Sequence, residues 1–529
     1  MRIISLKGGL PDRLLIRMNV LDFLKKIVAI LSLMTLFGYL LIQLADPLPV
    51  NPWVDGTLAA TINRYDQGGP YYESPSDGLC DATWPYGPGT LLLEDLVKKL
   101  TGWQMPFVSR FLGVVSLIAF TLLAILTSVS LRVRPVFAIT GVTFASFVLS
   151  SRVVAYQTGF SFVPDIMLCN CAFALALLAP RLERGRIASK VLLVAILFVA
   201  ALFKAQALGL YVGVLLFLCL RPIPNSRRIA LLACLVAAGL AATVCILLIP
   251  NCWQSSVVAM YYHPRNLKQM VWAFFDAWWA LWPMIVLPIS MLVSSFLNRF
   301  RAQSLQELIV EIPAWSPQVT MLGNVFLFFF GLQAIAAMKY GGGAIDFEFA
   351  AMLGLPLLLL GNYWCIRKRK GLIWLLSVIS IIGLFMGSKY GIHEIESKKR
   401  SLEENASYLA GHYPHGKVMY STVDYRLVRK AGLLPVTDLI TIWHFTLAKF
   451  NVANVIDAIR REVYDVVIFV DPADDPDYGP WDTPEFLAYK ELLREHYIVS
   501  TDPNLPEGLR GRVLIPMSRG DRVIAPAPP

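Results

Sequence analysis

The sequence predicts a mainly α-helical, polytopic membrane protein of about eleven transmembrane helices, N-terminus inside and C-terminus outside, ending in a small α/β domain. Three observations predict it. Apolar residues make up 56% of the 529 and charged residues 16%, and mean hydropathy is +0.58, a balance that belongs in lipid rather than water. Hydrophobic runs of membrane length recur as far as residue 388, with basic segments between alternate runs. Beyond about residue 395 the chain changes to short strand-like and helix-like stretches. The expected division is a transmembrane domain over 1–390 and an extracytoplasmic α/β domain over 391–529.

The hydrophobic runs lie near 27–45, 108–130, 135–151, 165–180, 190–203, 206–220, 229–250, 271–296, 319–337, 347–364 and 372–388. Several are shorter than the roughly twenty residues that cross a bilayer comfortably. The stretch 190–220 reads either as one long segment or as a hairpin broken at Lys204. The hairpin makes every charge fit. Basic residues from Arg2 to Lys26 put the N-terminus in the cytoplasm. Arg132 and Arg134, Arg181 to Arg186, Arg221 to Arg228, Arg299 and Arg301, and Arg367 to Lys370 then fall on the cytoplasmic side of an eleven-helix chain. The net charge of +10 is accounted for by this topology. No basic run interleaved with aromatics suggests a nucleic-acid surface.

In the tail, Lys417 to Ser421, Tyr464 to Asp471, Tyr497 to Ser500 and Arg512 to Ile515 read as strands, being short apolar runs bounded by turn residues. Leu439 to Arg461 and Pro484 to His496 show helical spacing. Alternation of the two argues for an α/β unit. No glycine-rich phosphate loop follows its strands.

The most informative stretch is Asp46 to Gly102, a long polar loop between the first two membrane helices. It carries Trp53-Val54-Asp55-Gly56, then Gly68-Gly69-Pro70-Tyr71-Tyr72, then Trp84-Pro85-Tyr86-Gly87-Pro88-Gly89. Such a length without its own domain is functional or disordered, and the aromatic content speaks against disorder. Asp55 is either a loop carboxylate, a cap for a helix from Gly56, or a general base beside the membrane. Leu58, Ala59 and Ile62 give the segment after it an amphipathic spacing that suits a helix lying on the membrane surface. Asp66, Asp77 and Asp81 read as solvated carboxylates or turn formers. Asp165 opens the fourth membrane helix, where the helix dipole favours an acid. Arg110, Arg152, Lys204, Arg265, Lys268 and Lys339 are basic residues on the outer side, against the usual bias. Each is either a snorkelling side chain or part of a phosphate site, with Lys204 foremost because it interrupts an apolar run. Tyr340 to Asp346 brings three glycines and an acid to the same side. Cys80 and Cys252, both in loops placed outside, are equally compatible with a disulfide and with two thiols. No metal-ligand spacing and no hydrolase triad signature occurs. No fixed-period repeat appears, which weakens a transporter reading.

On these residues the chain resembles membrane glycosyltransferases of the C-type fold, especially the polyprenyl-phosphate-sugar-dependent mannosyltransferase and aminoarabinose transferase families. Asp55, Gly69 to Tyr72, Tyr86 to Gly89, Pro164-Asp165 and Phe203-Lys204 carry the resemblance. It implies transfer of a hexosyl or pentosyl group, with inversion, from a polyprenyl-phosphate donor to a glycan, lipid or protein acceptor outside a bacterial cytoplasmic membrane. It implies catalytic roles for Asp55 and Asp165, and donor-phosphate binding by Lys204, Arg110, Arg152 and Lys339. Tyr71, Tyr72, Tyr86 and Asp346 would line the acceptor side or shape the loop. No cofactor is assigned, and a divalent metal is left open without a ligand motif. Family members often carry Asp-Glu where this chain has Asp55-Gly56. The alternative is a transporter or flippase for a lipid-linked sugar. Single cysteines near Glu404 and Arg132 should be labelled from the outside and the inside respectively; labelling from one side would overturn the eleven-helix topology.

Overall fold

The computed structural model describes residues 23, 26–34, 36–38, 40–41, 44, 52–74, 79–143, 146, 164–263, 265–275, 316–339, 347, 352–360, 401–421, 424–469 and 484–520. The first loop, read as one long polar stretch, contains two helices. These are α1 (Pro52–Asp66) and α2 (Gly89–Thr101). The bundle that follows comprises α3 (Met105–Ser130), α4 (Pro164–Glu183), α5 (Ile187–Phe203), α6 (Leu208–Leu220), α7 (Asn225–Leu248) and α8 (Pro317–Ala337). Four described helices are long and apolar enough to cross a membrane: Phe107–Ser130, Pro164–Glu183, Asn225–Leu248 and Pro317–Ala337. The segment 372–388, read as the last span, lies outside the described residues.

Helix α4 sits at the centre, packed on α3, α5 and α8, while α8 also packs on α6 and α5 on α7. Small residues set the closest approach. Gly209 and Gly213, one turn apart on α6, face Phe329 and Val325 of α8, and a Cβ at Gly213 would come within 2.7 Å of Val325. Glycines at this spacing let apolar helices pack backbone to backbone where hydrophobicity alone gives no preference for protein over lipid. Lys204 ends α5 with extended backbone angles, φ −158° and ψ 145°. The chain then reverses, and the Tyr211 hydroxyl on α6 donates to the Leu197 carbonyl of α5 at 3.1 Å. The hairpin reading of 190–220 is the correct one.

Helix α1 is not the surface-lying amphipathic helix that its spacing suggests. Leu58, Ala59, Ala60 and Ile62 of α1 are buried, because α1 packs against α3 and the tail helix Tyr425–Lys430. It is α2 that presents an apolar stripe. Leu92, Leu96 and Leu100, four residues apart, are exposed, and Trp103 and Phe107 continue the stripe into α3. Thr90, Glu94 and Asp95 of α2 point inward.

The tail forms a five-stranded mixed sheet of β1 (Lys417–Tyr420), β2 (Leu434–Asp438), β3 (Val466–Ile468), β4 (Tyr497–Val499) and β5 (Val513–Pro516), in the order β2-β1-β3-β5-β4. β1 runs parallel to β2 and β3, and β5 antiparallel to β3 and β4. β2 contains Pro435 and occupies an edge, where a missing N–H is tolerated. The helical stretch read over 439–461 is two helices, Leu439–Leu447 and Ala453–Arg460, separated where Lys449 takes φ 60°.

The tail is joined to the first loop by one apolar core, in which Leu58, Tyr72 and Trp84 cluster with Tyr420, Tyr425 and Val466. Polar contacts fix the register. The Asp438 N–H donates to the Cys80 carbonyl at 2.9 Å, the Thr83 N–H to Thr441 Oγ1 at 3.1 Å, and the Tyr420 hydroxyl to Asp81 Oδ1 at 3.0 Å. Asp81 is therefore a docking residue and not a solvated carboxylate. Cys80 and Cys252 are free thiols held in separate cores, and burial pushes the Cys80 thiol up to about 12.

A second seam joins tail and bundle through two buried histidines. His263 Nε2 and His444 Nδ1 lie 2.6 Å apart, with Trp443 edge-on to His263. Burial and the nearby Lys339 charge lower His263 to about 4, and burial, His263 and Lys339 hold His444 well below its ordinary value, against a backbone hydrogen bond with Ser255. Both imidazoles are neutral when docked. Their stabilisation is therefore complete above the free-histidine value of about 6.5 and is lost as pH falls toward the depressed values, by roughly tenfold per pH unit for each ring. Amide protection of Leu439–Leu447 should fall between pH 7 and 5 in the parent. It should depend less on pH in a His263→Gln/His444→Gln variant, and equal dependence in both would show that the seam does not titrate.

Candidate functional site

The C-terminal end of α5 and the N-terminal end of α4 bring Lys204 and Asp165 together. Pro164 and Asp165 occupy the first turn of α4. Lys204, leaving its helix in extended conformation, reaches both carboxylate oxygens, with Nζ 2.9 Å from Oδ1 and 2.9 Å from Oδ2. Gln333 of α8 completes the group, its Nε2 donating to Asp165 Oδ1 at 2.8 Å. All three side chains are buried; Gln333 has no exposed surface. An ion pair this deep forfeits several kcal/mol of hydration per charge, repaid only when the geometry is good and the remaining lone pairs are bonded. Bidentate contact plus a third donor meets that condition.

Tyr86 roofs the pair. Lys204 Nζ lies 5.0 Å from its ring centroid, a cation–π distance. The Tyr-Gly-Pro-Gly run is what permits this placement. The Gly87 N–H donates to the Phe203 carbonyl at 3.2 Å, and a Cβ on Gly87 would stand 2.2 Å from the Leu202 carbonyl oxygen. Only glycine allows the first loop to cross the end of α5 so closely. The Tyr72 hydroxyl donates to the Tyr86 carbonyl at 2.8 Å, and Trp84 meets the Tyr86 ring edge-on at 5.1 Å.

Tyr71 and Tyr72 hold the loop in place. Tyr72 is fully buried. Tyr71 stacks on Tyr65 at 3.7 Å, and its hydroxyl donates to Asp95 Oδ2 at 2.7 Å. Burial, with Asp95 beside it, raises the Tyr71 phenol above its ordinary range. Arg64, not singled out in the sequence, organises the turn over 68–73. It donates to the carbonyls of Pro70 at 3.0 Å, Ala82 at 2.6 Å and Tyr71 at 3.1 Å, and lies 3.4 Å from both Glu73 and Asp81.

Asp55 is the fourth residue of α1, so it does not cap a helix from Gly56; its side chain lies outside the described residues. Arg110 is buried near the start of α3. Lys339 forms an antiparallel bridge with Arg265, and its charge acts on the histidine seam. Arg265 and Lys268 are exposed. Arg152 and Asp346 lie outside the described residues. Among the described residues no group of three or more His, Cys, Asp or Glu could hold a metal ion. The sequence reading missed Gln333 and Glu94. Gln333 was visible as one of the polar residues, with Thr320 and Asn324, in the apolar run of α8. Glu94, a fully buried carboxylate, was visible as the position of α2 opposite its leucine stripe.

Lys204→Met or Asp165→Asn alone should destabilise the protein by about 3–5 kcal/mol, because each leaves a buried charge without its partner. The double variant should lose clearly less than the sum. Thermal unfolding in detergent measures this, and additive losses would show that the two groups do not interact.

No family model matches the sequence and no curated protein matches it. Solved structures do resemble it. ArnT from Cupriavidus metallidurans in the apo state superposes with a TM-score of 0.50 at 13% identity, covering 94% of this chain and 98% of that one. The same protein bound to undecaprenyl phosphate gives 0.49 at 13% identity, covering 92% and 97%. The oligosaccharyltransferase of Archaeoglobus fulgidus tethered with an acceptor peptide gives 0.44 at 9% identity, covering 90% and 72%. The likeness to apo ArnT extends from the first loop through the tail. Over nearly its whole length, the chain has the C-type membrane glycosyltransferase fold.

Proposed function

We propose that this protein is a membrane glycosyltransferase that moves a hexosyl or pentosyl group from a polyprenyl-phosphate donor to an extracytoplasmic acceptor. The observation that carries the reading is the buried Asp165–Lys204 pair under Tyr86. It lies where the first loop crosses the membrane helices, in a chain with the C-type fold. A buried lysine held by a carboxylate at the seam between lipid and loop suits a ligand with an apolar tail and an anionic head.

In this reading the acceptor hydroxyl attacks the anomeric carbon, and the bond from that carbon to the phosphate oxygen breaks. The polyprenyl phosphate departs and the configuration inverts. Asp165 already accepts from Lys204 through both oxygens and from Gln333. That leaves it poorly placed as a base, and its role is to orient Lys204. The base is Asp55, which accepts the acceptor's proton. Lys204 and Arg110 stabilise the departing phosphate. The site faces outward across a bacterial cytoplasmic membrane, where nucleotide sugars are not supplied.

Asp55→Asn keeps the size of the side chain and removes the proton acceptor. Release of polyprenyl phosphate from polyprenyl-phosphate sugars in proteoliposomes should fall roughly 10²–10⁴-fold. Asp66→Asn, at the exposed end of α1 beside Lys98, should retain most activity. Normal turnover by Asp55→Asn would move the base elsewhere. A parent protein that consumes no such donor yet carries it across the bilayer would put the transporter reading first.

A further inference from the structure

Helix α2 begins in an unusual way. Its N-cap residue is Pro88, which makes no side-chain cap bond, and no acid stands in its first turn. The N–H groups of Gly89, Thr90 and Leu91 precede the first intrahelical bond, made by Leu92 to the Pro88 carbonyl at 2.9 Å. A helix start normally satisfies such donors with a side-chain oxygen, water or a ligand. This start also lies inside the protein. Gly89, Thr90 and Leu91 are buried, and Thr90 has no exposed surface.

A second observation comes from side chains. Thr90 Oγ1 is buried without a hydrogen-bond partner among the described residues, as is Trp84 Nε1 in the segment leading into the same turn. Buried polar atoms in native proteins are rarely left unbonded, and those that are call for a missing ion, water or ligand. Both side chains are donors, and so are the three N–H groups. The unmet need is for an acceptor.

The position ties this turn to the ion pair. A Cβ on Gly89 would come 3.0 Å from the Phe203 ring and 3.1 Å from the Leu202 backbone, so the helix start rests on the residue before Lys204. Lys204 is already paired with Asp165, so a phosphate beside it gains from further donors. The aligned peptides of α2 supply about half a positive charge at this end. The acid on the same face, Glu94, lies one turn deeper, about 6 Å along the axis.

We propose that the first turn of α2 is a phosphate subsite, in which the N–H groups of Gly89, Thr90 and Leu91 and the Thr90 hydroxyl bind the phosphoryl oxygens of a lipid-borne or free phosphate. The lipid-borne case rests on the donor class proposed above. Convergent N–H groups at a helix start are a ready-made oxyanion site. The Gly-Pro-Gly sequence before Thr90 leaves no side chain at the two positions that cross α5, which keeps the turn against Lys204 and Tyr86.

The test is binding of a long-chain polyprenyl phosphate and of the corresponding polyprenol to the full-length protein in detergent. The parent should prefer the phosphate. Thr90→Val should cut that preference roughly tenfold, as expected for a hydrogen bond to a charged group, and Thr90→Ser should restore it. Thr90→Asp should abolish it, whereas an acid at this position of a helix otherwise favours the helix. Unfolding temperatures measured alongside separate loss of binding from loss of fold. Competition by inorganic phosphate assigns the subsite to phosphate as such, and lack of competition assigns it to the lipid-borne group. If Thr90→Val and Thr90→Asp keep the parent's preference, the subsite is not at α2, and the proposed donor class survives. If the parent does not distinguish the phosphate from the alcohol, the donor class itself falls.

Discussion

A lysine and an aspartate removed from water together constrain everything around them. The Asp165–Lys204 pair requires α5 to stop at Lys204, since a lysine in mid-helix would project along the helix surface instead of reaching the start of α4. It requires Gln333 of α8 as a further donor, and so fixes how α8 meets α4. It also requires a cover, because a solvated ammonium would have no reason to remain on the carboxylate. Tyr86 is that cover. The hairpin, the central placement of α4 and the close crossing of the first loop are linked through this one interaction.

The cover depends in turn on the tail. Tyr86 belongs to a segment whose earlier residues, Cys80 to Thr83, bond to β2, Tyr420 and Thr441. Arg64 ties the start of that segment to α1. The first loop is thus held between sheet and bundle, with apolar contacts on both sides. The histidine seam at His263 and His444 is a second, titratable attachment between the same two parts.

Much of the architecture was legible because it is written in local patterns. Apolar runs marked α3, α4, α7 and α8, and four tail strands stood out as short apolar runs. Lys204 was legible as a break because a charge inside a long apolar run is costly unless the helix ends there or the charge finds a partner. Where local signals were weak or ambiguous, the reading failed. Pro435 disguised β2, whose edge position tolerates it. Both first-loop segments have an amphipathic spacing, and nothing local says that α1 is covered by the tail while α2 keeps its leucines exposed.

By itself, the sequence determined a multi-pass helical chain with an α/β tail, and it supplied Asp165, Lys204 and Tyr86 as residues of interest. Only the tertiary structure decided that they are partners. Asp165 and Lys204 are 39 residues apart, and Asp165 and Gln333 are 168 apart. At such separations no periodicity links two positions, and their meeting depends on how α4, α5 and α8 pack. The same holds for Gly87. Its need to be glycine comes from the Leu202 carbonyl, an atom that the chain brings to it only when folded.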